Sequence, residues 1–205
     1  KIINNVEVKI AEDGEILVKG PNVMQGYFKD SKKTTEVMTG DYFHTGDIGE
    51  ICNEGFLKIT DRKKEMFKTS GGKYVAPAPI ENKFKEDFLI EQMMVVGEKQ
   101  KFVSALIVPA PEALQNWCEN NGVQWTSMGD AIKNPNVIAQ YQKCIDGFNP
   151  GFSHIEQIKK FSLLNTTWDA VKEDGSKAEL TPTMKGKRKV ILANNEQLIN
   201  EMYDC

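Results

Sequence analysis

The chain has 205 residues, of which 40% are hydrophobic, and its 26 basic and 29 acidic side chains leave a net charge of -3. This length predicts one or two compact domains with a buried core, and the balanced charge argues against nucleic acid as a partner. The four cysteines lie far apart in the sequence, at Cys52, Cys118, Cys144 and Cys205. We therefore predict free thiols and no metal site, as is typical of a cytoplasmic protein.

The amino terminus has neither a signal peptide nor an initiating Met, because Lys1 leads directly into strand-like sequence. We therefore expect a fragment of a larger protein. No segment of the chain approaches the roughly 18 consecutive apolar residues of a membrane helix, so we expect no transmembrane segment.

Residues 1–62 are predicted to be rich in β-strands. The segments Val6–Ile10 and Glu15–Lys19 flank a short turn, which is typical of a β-hairpin, and residues 48–51 and 56–60 form a second such pair. Between the hairpins, Ser31–Met38 is predicted to be a short helix with Ser31 as its N-cap.

The polar run Asp61–Glu65 separates the β-rich part of the sequence from a part that mixes strands and helices. We therefore place a domain boundary after residue 62 and a second domain over residues 63–205. The predicted fold class is α+β, in which a β-rich subdomain is followed by a small α+β domain with a helical insertion. The elements predicted for the second domain are a strand pair at 66–68 and 73–75, a helix from Pro79, buried strands at 93–97 and 102–108, helices at 112–120, 135–148 and 153–160, and a final helix at 189–202.

The first segment whose residues could bind a ligand or act in catalysis ends at Asp47, which follows a Thr-Gly turn. A carboxylate in this position can accept two hydrogen bonds from vicinal hydroxyls such as those of a ribose. It can equally organise its own turn, and the residues alone leave both interpretations open. His44 has no partner that the sequence reveals, so a structural role is favoured for it.

The second segment is the polar run itself. Arg62 could bind a phosphate or a ribose, since a guanidinium group donates several directed hydrogen bonds. Lys64 lies inside the linker and is a candidate hinge for a domain motion. The alternative interpretation is a solvated, charged linker.

Two further segments are loops with glycine or proline. Gly71 and Gly72 permit unusual backbone dihedrals close to a ligand, although a plain hairpin turn explains them equally well, and the spacing of a P-loop is absent. Lys185 lies in the basic segment 180–189, which has no interleaved aromatic residues of the kind that nucleic-acid patches carry. A single lysine on such a loop could instead be delivered to a phosphate.

Taken in order, these segments resemble the adenylate-forming superfamily. Lys73–Pro77 and Leu180–Lys185 are similar to the forms of its long-chain fatty acyl-CoA synthetase branch, as is the long helical stretch at 111–160. Residues 15–27 also resemble the strand and loop that approach the Thr-Gly-Asp motif in this family. The resemblance spans nearly the whole chain.

The resemblance implies a ligase that forms an acyl-adenylate and pyrophosphate from a fatty acid and ATP, and then transfers the acyl group to coenzyme A with release of AMP. The C-terminal domain would rotate between the two steps. The implied roles are ribose or nucleotide binding for Asp47 and Arg62, the hinge for Lys64, the adenylation step for Lys185, and the coenzyme A or thioester step for Lys68, Gly71, Gly72 and Lys73.

The chain lacks the family's phosphate loop and the motif whose glutamate holds magnesium. Mg²⁺ is therefore expected in the parent enzyme with ligands outside this chain, and the fragment alone is expected to be inactive. It would meet fatty acid, ATP and coenzyme A through the missing N-terminal domain. The sequence leaves open whether the parent enzyme also contacts a membrane peripherally. The alternatives are a stand-alone nucleotide-binding or interaction module and another acyl-adenylating enzyme.

Overall fold

The computed structural model describes residues 2–53, 55–63, 65–172 and 175–204, and the chain divides into two units, residues 1–66 and 67–205. Each unit has its own β-sheet and its own packing, and together they confirm the predicted mixture of helices and strands. Among the described residues, no helix is long and apolar enough to cross a membrane.

The first unit is built on one antiparallel sheet. The elements are β1 Glu7–Ile10, β2 Glu15–Lys19, α1 Ser31–Glu36, β3 Met38–Thr39, β4 Tyr42–Ile51 and β5 Leu57–Arg62. The strands occur in the order β1-β2-β4-β3, and β5 pairs with the far end of the long strand β4. Both predicted hairpins are confirmed, because β1 pairs with β2 and β4 pairs with β5.

The predicted N-cap of α1 is wrong. Asp30, not Ser31, caps the helix, since its carboxylate accepts a hydrogen bond from the Lys33 amide at 2.9 Å. An N-cap needs a non-helical backbone, which Asp30 has with a φ of -133°, whereas Ser31 is already helical. The helix also ends at Glu36, because Met38 pairs with Phe43 in the sheet.

The second unit is built on a three-stranded sheet preceded by a separate small hairpin. Its elements are β6 Phe67–Lys68, β7 Tyr74–Val75, α2 Pro77–Phe84, β8 Ile90–Val96, β9 Val103–Pro109, α3 Pro111–Asn120, α4 Met128–Ala131, α5 Pro135–Phe148, β10 Ile158–Leu163, α6 Arg188–Asn194 and α7 Glu196–Tyr203. The hairpin is β6–β7, and the sheet has the order β10-β9-β8, in which β8 and β9 are antiparallel and β9 and β10 are parallel.

This sheet is covered on both faces by two hydrophobic cores. Met93 and Val95 of β8 lie in the first core with residues of α2, α3 and α5, whereas Met94 and Val96 lie in the second core with residues of α6 and α7. Alternate residues of a strand point to opposite faces, so a strand between two cores is apolar throughout. This arrangement explains why every residue of the central strand β9 is buried.

Two of the predicted helices are corrected by the structure. Residues 153–160 do not form a helix, because Ile158–Leu163 is a strand that pairs in parallel with β9. The pairing supplies the third strand of the sheet, which local periodicity cannot reveal. The predicted final helix is divided at Asn195, whose φ of -122° is not helical, so that α6 and α7 are separate.

The cysteines of the described residues are free thiols: Cys52 is exposed, while Cys118 and Cys144 are buried. Burial, together with a hydrogen bond to Asp87, raises the pKa of the Cys144 thiol to about 12. A thiol with so high a pKa carries almost no thiolate at neutral pH, so Cys144 is a packing residue and not a nucleophile.

Candidate functional site

Asp47 and Arg62 are brought together on neighbouring strands of the first unit. The Arg62 Nε–H donates to Asp47 Oδ1 at 2.9 Å, and the two residues are direct partners in the β4–β5 register. The Asp47 side chain is 24% exposed, and that of Arg62 is 67% exposed. An accessible carboxylate paired with an accessible guanidinium offers both an acceptor for hydroxyls and a donor for phosphate oxygens.

A β-bulge produces this pairing. Nearer the turn, Gly49 lies opposite Ile59, and the same register continued two residues further would place Asp61 opposite Asp47. The register instead shifts between Gly49 and Ile48, so that Arg62 takes that position. A bulge inserts one extra residue in one strand and re-aims the side chains beyond it. The bulge therefore replaces a pairing of two acids with one of opposite charge.

The turn before Asp47 is held by Glu15, which the sequence analysis did not identify. Glu15 is 3% exposed, and its Oε1 accepts a hydrogen bond from the Gly46 amide at 2.9 Å. Gly46 has a φ of 73°, a conformation that favours glycine. The Thr45 hydroxyl adds two hydrogen bonds, one donated to the Ile16 carbonyl at 2.7 Å and one accepted from the Asp47 amide at 3.1 Å.

The second oxygen of Glu15 binds two further side chains. Glu15 Oε2 lies 2.8 Å from His44 Nδ1 and 2.8 Å from Lys63 Nζ. Burial raises the pKa of Glu15, but the hydrogen bonds from Lys63, His44 and the Gly46 amide outweigh it and hold the pKa below its ordinary value. The other ring nitrogen of His44 lies 2.8 Å from the Thr39 hydroxyl, so both of its nitrogens have structural partners.

The predicted hinge residue, Lys64, lies outside the described residues. Its neighbour Lys63 binds Asp13 Oδ2 at 2.7 Å as well as Glu15, and its amide donates to the Gly46 carbonyl at 2.8 Å. Lys63 thus connects the middle of the polar run to the turn that carries Asp47.

Lys68, Gly71, Gly72 and Lys73 share one exposed hairpin in the second unit. The turn is closed by the Thr69 amide, which donates to the Lys73 carbonyl at 3.0 Å. Gly72 has a φ of 78°, which favours glycine, whereas Gly71 is not among the residues with positive φ. The Lys68 ammonium lies 5.3 Å from the centre of the Tyr74 ring, so an aromatic face and a cation are both presented on this hairpin.

Lys185 lies on a different loop of the second unit, residues 180–186, which we call the Lys185 loop. Its base is closed by an antiparallel bridge between Leu180 and Gly186. Inside, the Thr181 amide donates to the Lys185 carbonyl at 2.8 Å, and the Thr181 hydroxyl accepts from the Lys185 amide at 3.0 Å. Met184 has a φ of 61°, which is rare for a residue other than glycine.

The backbone of the Lys185 loop is thus ordered, while the lysine side chain points to solvent. Lys185 is exposed, and its ammonium group makes no hydrogen bond or ion pair with any residue among the described ranges. The loop backbone is already held by its own hydrogen bonds, and the ammonium group has no partner among the described residues. This arrangement suits a lysine that binds a ligand, because little further ordering of the loop is needed on binding.

A family model described as the AMP-binding enzyme C-terminal domain matches residues 65–205. The chain therefore belongs to the AMP-binding enzymes, and the matched range includes the whole of its second unit.

The chain is also similar to curated proteins over nearly all its length. It is 41% identical over 198 residues to the long-chain-fatty-acid–CoA ligase FadD15 of Mycobacterium tuberculosis, which covers 96% of this chain and 32% of that protein. It is 37% identical over 195 residues to long-chain-fatty-acid–CoA ligase 1 of Homo sapiens, which covers 93% of this chain and 27% of that protein. The chain thus spans about a third or less of the relatives that it matches.

Solved structures share the fold. The A-PCP didomain of a carboxylic acid reductase from Segniliparus rugosus, in complex with AMP, superposes with a TM-score of 0.70 at 22% identity, covering 97% of this chain and 27% of that one. The amide bond synthetase McbA from Marinactinospora thermotolerans gives a TM-score of 0.63 at 19% identity, covering 93% of this chain and 35% of that one. At these identities the likeness concerns the fold alone.

Proposed function

We propose that the chain is the C-terminal part of an AMP-forming long-chain fatty acid–CoA ligase. The observation that carries this proposal is the similarity to proteins named as such ligases, at 41% and 37% identity over nearly the whole chain. The half-buried Asp47 and the exposed Arg62 and Lys185 supply the acceptor, donor and cation that a nucleotide substrate requires.

In the first step, a carboxylate oxygen of the fatty acid attacks the α-phosphorus of ATP. A phosphorus–oxygen bond forms, the bond to the β-phosphate bridge breaks, and pyrophosphate leaves. The Lys185 ammonium lies between the attacking carboxylate and the α-phosphate and stabilises the charge that develops there. A preorganised cation of this kind lowers the barrier by about 3–4 kcal/mol.

Asp47 and Arg62 bind the nucleotide in this proposal. The Asp47 carboxylate accepts hydrogen bonds from the ribose hydroxyls, and its pairing with Arg62 Nε–H orients it. The Arg62 guanidinium contacts the nucleotide from the same edge of the β4–β5 hairpin.

In the second step, the thiol of coenzyme A attacks the acyl carbonyl, the thiol proton passes to solvent, and AMP leaves as the thioester forms. Lys68, Gly71, Gly72 and Lys73 serve this step after a rotation of the domain 63–205 about Lys64. The exposed hairpin supports this assignment, since its backbone and its two lysines are accessible to a phosphate-bearing ligand.

Mg²⁺ belongs to the proposed parent reaction, where it would neutralise charge on the phosphates of ATP. The residues that the structure describes contain no group of three or more His, Cys, Asp or Glu that could hold a metal ion, so we assign it no step. The proposal extends to a cytoplasmic ligase with peripheral membrane contact, as suits an enzyme whose fatty acid substrate partitions into bilayers.

The test is an assay of the product of the reading frame that encodes this chain. With ATP, coenzyme A and fatty acids of graded length, we expect fatty-acid-dependent release of pyrophosphate and AMP, and no turnover from residues 1–205 alone. Binding of AMP without turnover by any product of that frame would favour a nucleotide-binding module. Turnover with aryl acids but not fatty acids would contradict the proposed substrate class.

Replacing Asp47 with alanine should weaken ATP binding. Loss of charge-assisted hydrogen bonds worth about 1.5–3 kcal/mol should raise KM for ATP by about 10- to 100-fold. Asp47→Asn, which keeps one acceptor oxygen, should give a smaller increase, and KM for the fatty acid should change little in both variants. An unchanged KM for ATP in Asp47→Ala would remove Asp47 from the nucleotide site.

A further inference from the structure

The Lys185 loop is flanked at both ends by residues whose side chains bind other parts of the second unit. The residue before the loop is Glu179, whose carbonyl accepts the Lys187 amide at 2.6 Å. The first residue of α6 is Arg188, which is separated from the loop only by Lys187. The Glu179 side chain is buried and that of Arg188 is half-buried, and each binds its own partners in the second unit.

The incoming end is attached through the Glu179 carboxylate, which is 4% exposed. Its Oε1 accepts from Lys172 Nζ at 2.6 Å and from the Asn194 amide group, at the end of α6, at 2.8 Å. Its Oε2 is buried without a hydrogen-bond partner among the residues described. Burial of an ionised carboxylate is unfavourable unless specific partners compensate, so this position is maintained by its contacts with Lys172 and Asn194.

The outgoing end is attached through the Arg188 guanidinium. Its Nη1 donates to the Val95 carbonyl at 2.7 Å, and its Nη2 donates to Glu81 Oε1 at 2.6 Å. The same oxygen of Glu81 accepts the Val95 amide at 2.8 Å. Val95 lies on β8, an edge strand of the sheet, and Glu81 and Arg188 satisfy backbone groups that an edge strand leaves unpaired.

We propose that Glu179 and Arg188 are positioning residues for Lys185. By fixing the two ends of the loop to α6, to α2 and to the sheet, they limit the positions that the Lys185 ammonium can reach. A mobile loop would have to be ordered again in each catalytic cycle, and a displacement of about 1 Å lowers the rate strongly. This inference rests on the proposed function of Lys185, but the order of the loop can be measured separately.

The first test uses amide hydrogen exchange on the 205-residue chain. Glu179→Gln keeps the size of the side chain and Arg188→Lys keeps its charge, but each weakens the hydrogen bonds at its end of the loop. Arg188→Met removes the hydrogen bonds to Val95 and Glu81 altogether. The amides of Thr181, Met184, Lys185 and Lys187 should exchange about tenfold faster or more, as expected for the loss of one buried charged hydrogen bond. The amides of the central strand β9 should keep their wild-type rates.

Tyr141→Phe is the matched control. It removes one buried hydrogen bond, from the Tyr141 hydroxyl to the Leu89 carbonyl, within the core on the opposite face of the sheet. It should leave the exchange of the Lys185 loop unchanged. If it accelerates that loop as much as Glu179→Gln does, the attachments are merely contributors to general stability and the proposal is overturned.

The second test measures the two half-reactions in the product of the reading frame. Glu179→Gln and Arg188→Lys should slow acyl-adenylate formation and spare thioester formation from supplied acyl-adenylate, while Tyr141→Phe should affect neither. Faster loop exchange with unchanged adenylation would overturn the positioning role. If Lys185→Ala also leaves adenylation unchanged, the proposed function has failed instead, and the exchange result still reports whether the loop is anchored.

Discussion

Lys185→Ala is expected to lower the rate of acyl-adenylate formation by about 10²–10³, because a preorganised cation is removed from the developing charge at the α-phosphate. Since the interaction is made mainly in the transition state, kcat and kcat/KM should fall together. Thioester formation from supplied acyl-adenylate should stay close to the wild-type rate. The measurement is pyrophosphate release with fatty acid and ATP, beside thioester formation with acyl-adenylate and coenzyme A.

Lys189→Ala is the matched control for this substitution. Lys189 lies in the same basic segment and is exposed on α6, so its removal changes the net charge equally without touching the loop. Its rates should equal those of the wild type in both half-reactions. Equal losses in both half-reactions for Lys185→Ala would contradict the role proposed for this lysine, whatever the control does.

Glu15→Ala is expected to destabilise the first unit by about 3 kcal/mol at neutral pH, because it leaves Lys63, His44 and the Gly46 amide without their shared acceptor. Tryptophan fluorescence reports only on the second unit, where Trp117, Trp125 and Trp168 lie. The measurement is therefore hydrogen exchange of the amides in β2 and β4. Glu12→Ala is the control, because it removes an exposed carboxylate from the turn between β1 and β2, three residues before Glu15. It should change the stability of the first unit by less than about 0.5 kcal/mol.

The Glu15 effect should depend on pH in a defined direction. The pKa of Glu15 in the folded chain lies below its ordinary value, so the stabilisation is fully present above the unfolded pKa and is lost as the pH falls through the folded pKa. Glu15→Gln should therefore be less stable than the wild type at neutral pH, with the difference shrinking in acid. A difference between the two proteins that grows as the pH falls would contradict the assigned contacts.

Local sequence patterns predicted the elements that local physics dominates. The alternating strand β1 with its hairpin partner β2, the apolar run of β9 and the helical spacing of α5 each appear where expected. The helix predicted over 153–160 was wrong, because the strand that begins at Ile158 is stabilised by pairing with β9 and not by its own residues. Glu15 was missed because, in a hairpin strand, a glutamate is ordinarily a solvent-facing residue.

The sequence by itself determined the order of the chemical segments, and with it the residues that we propose to bind nucleotide and to act in adenylation. The tertiary structure decided how those residues are held. A bulge in β5's pairing with β4 places Arg62 opposite Asp47, and buried contacts of Glu179 and Arg188 fix the ends of the Lys185 loop. These features depend on register and on contacts between residues far apart in the chain, which local propensity and spacing do not encode.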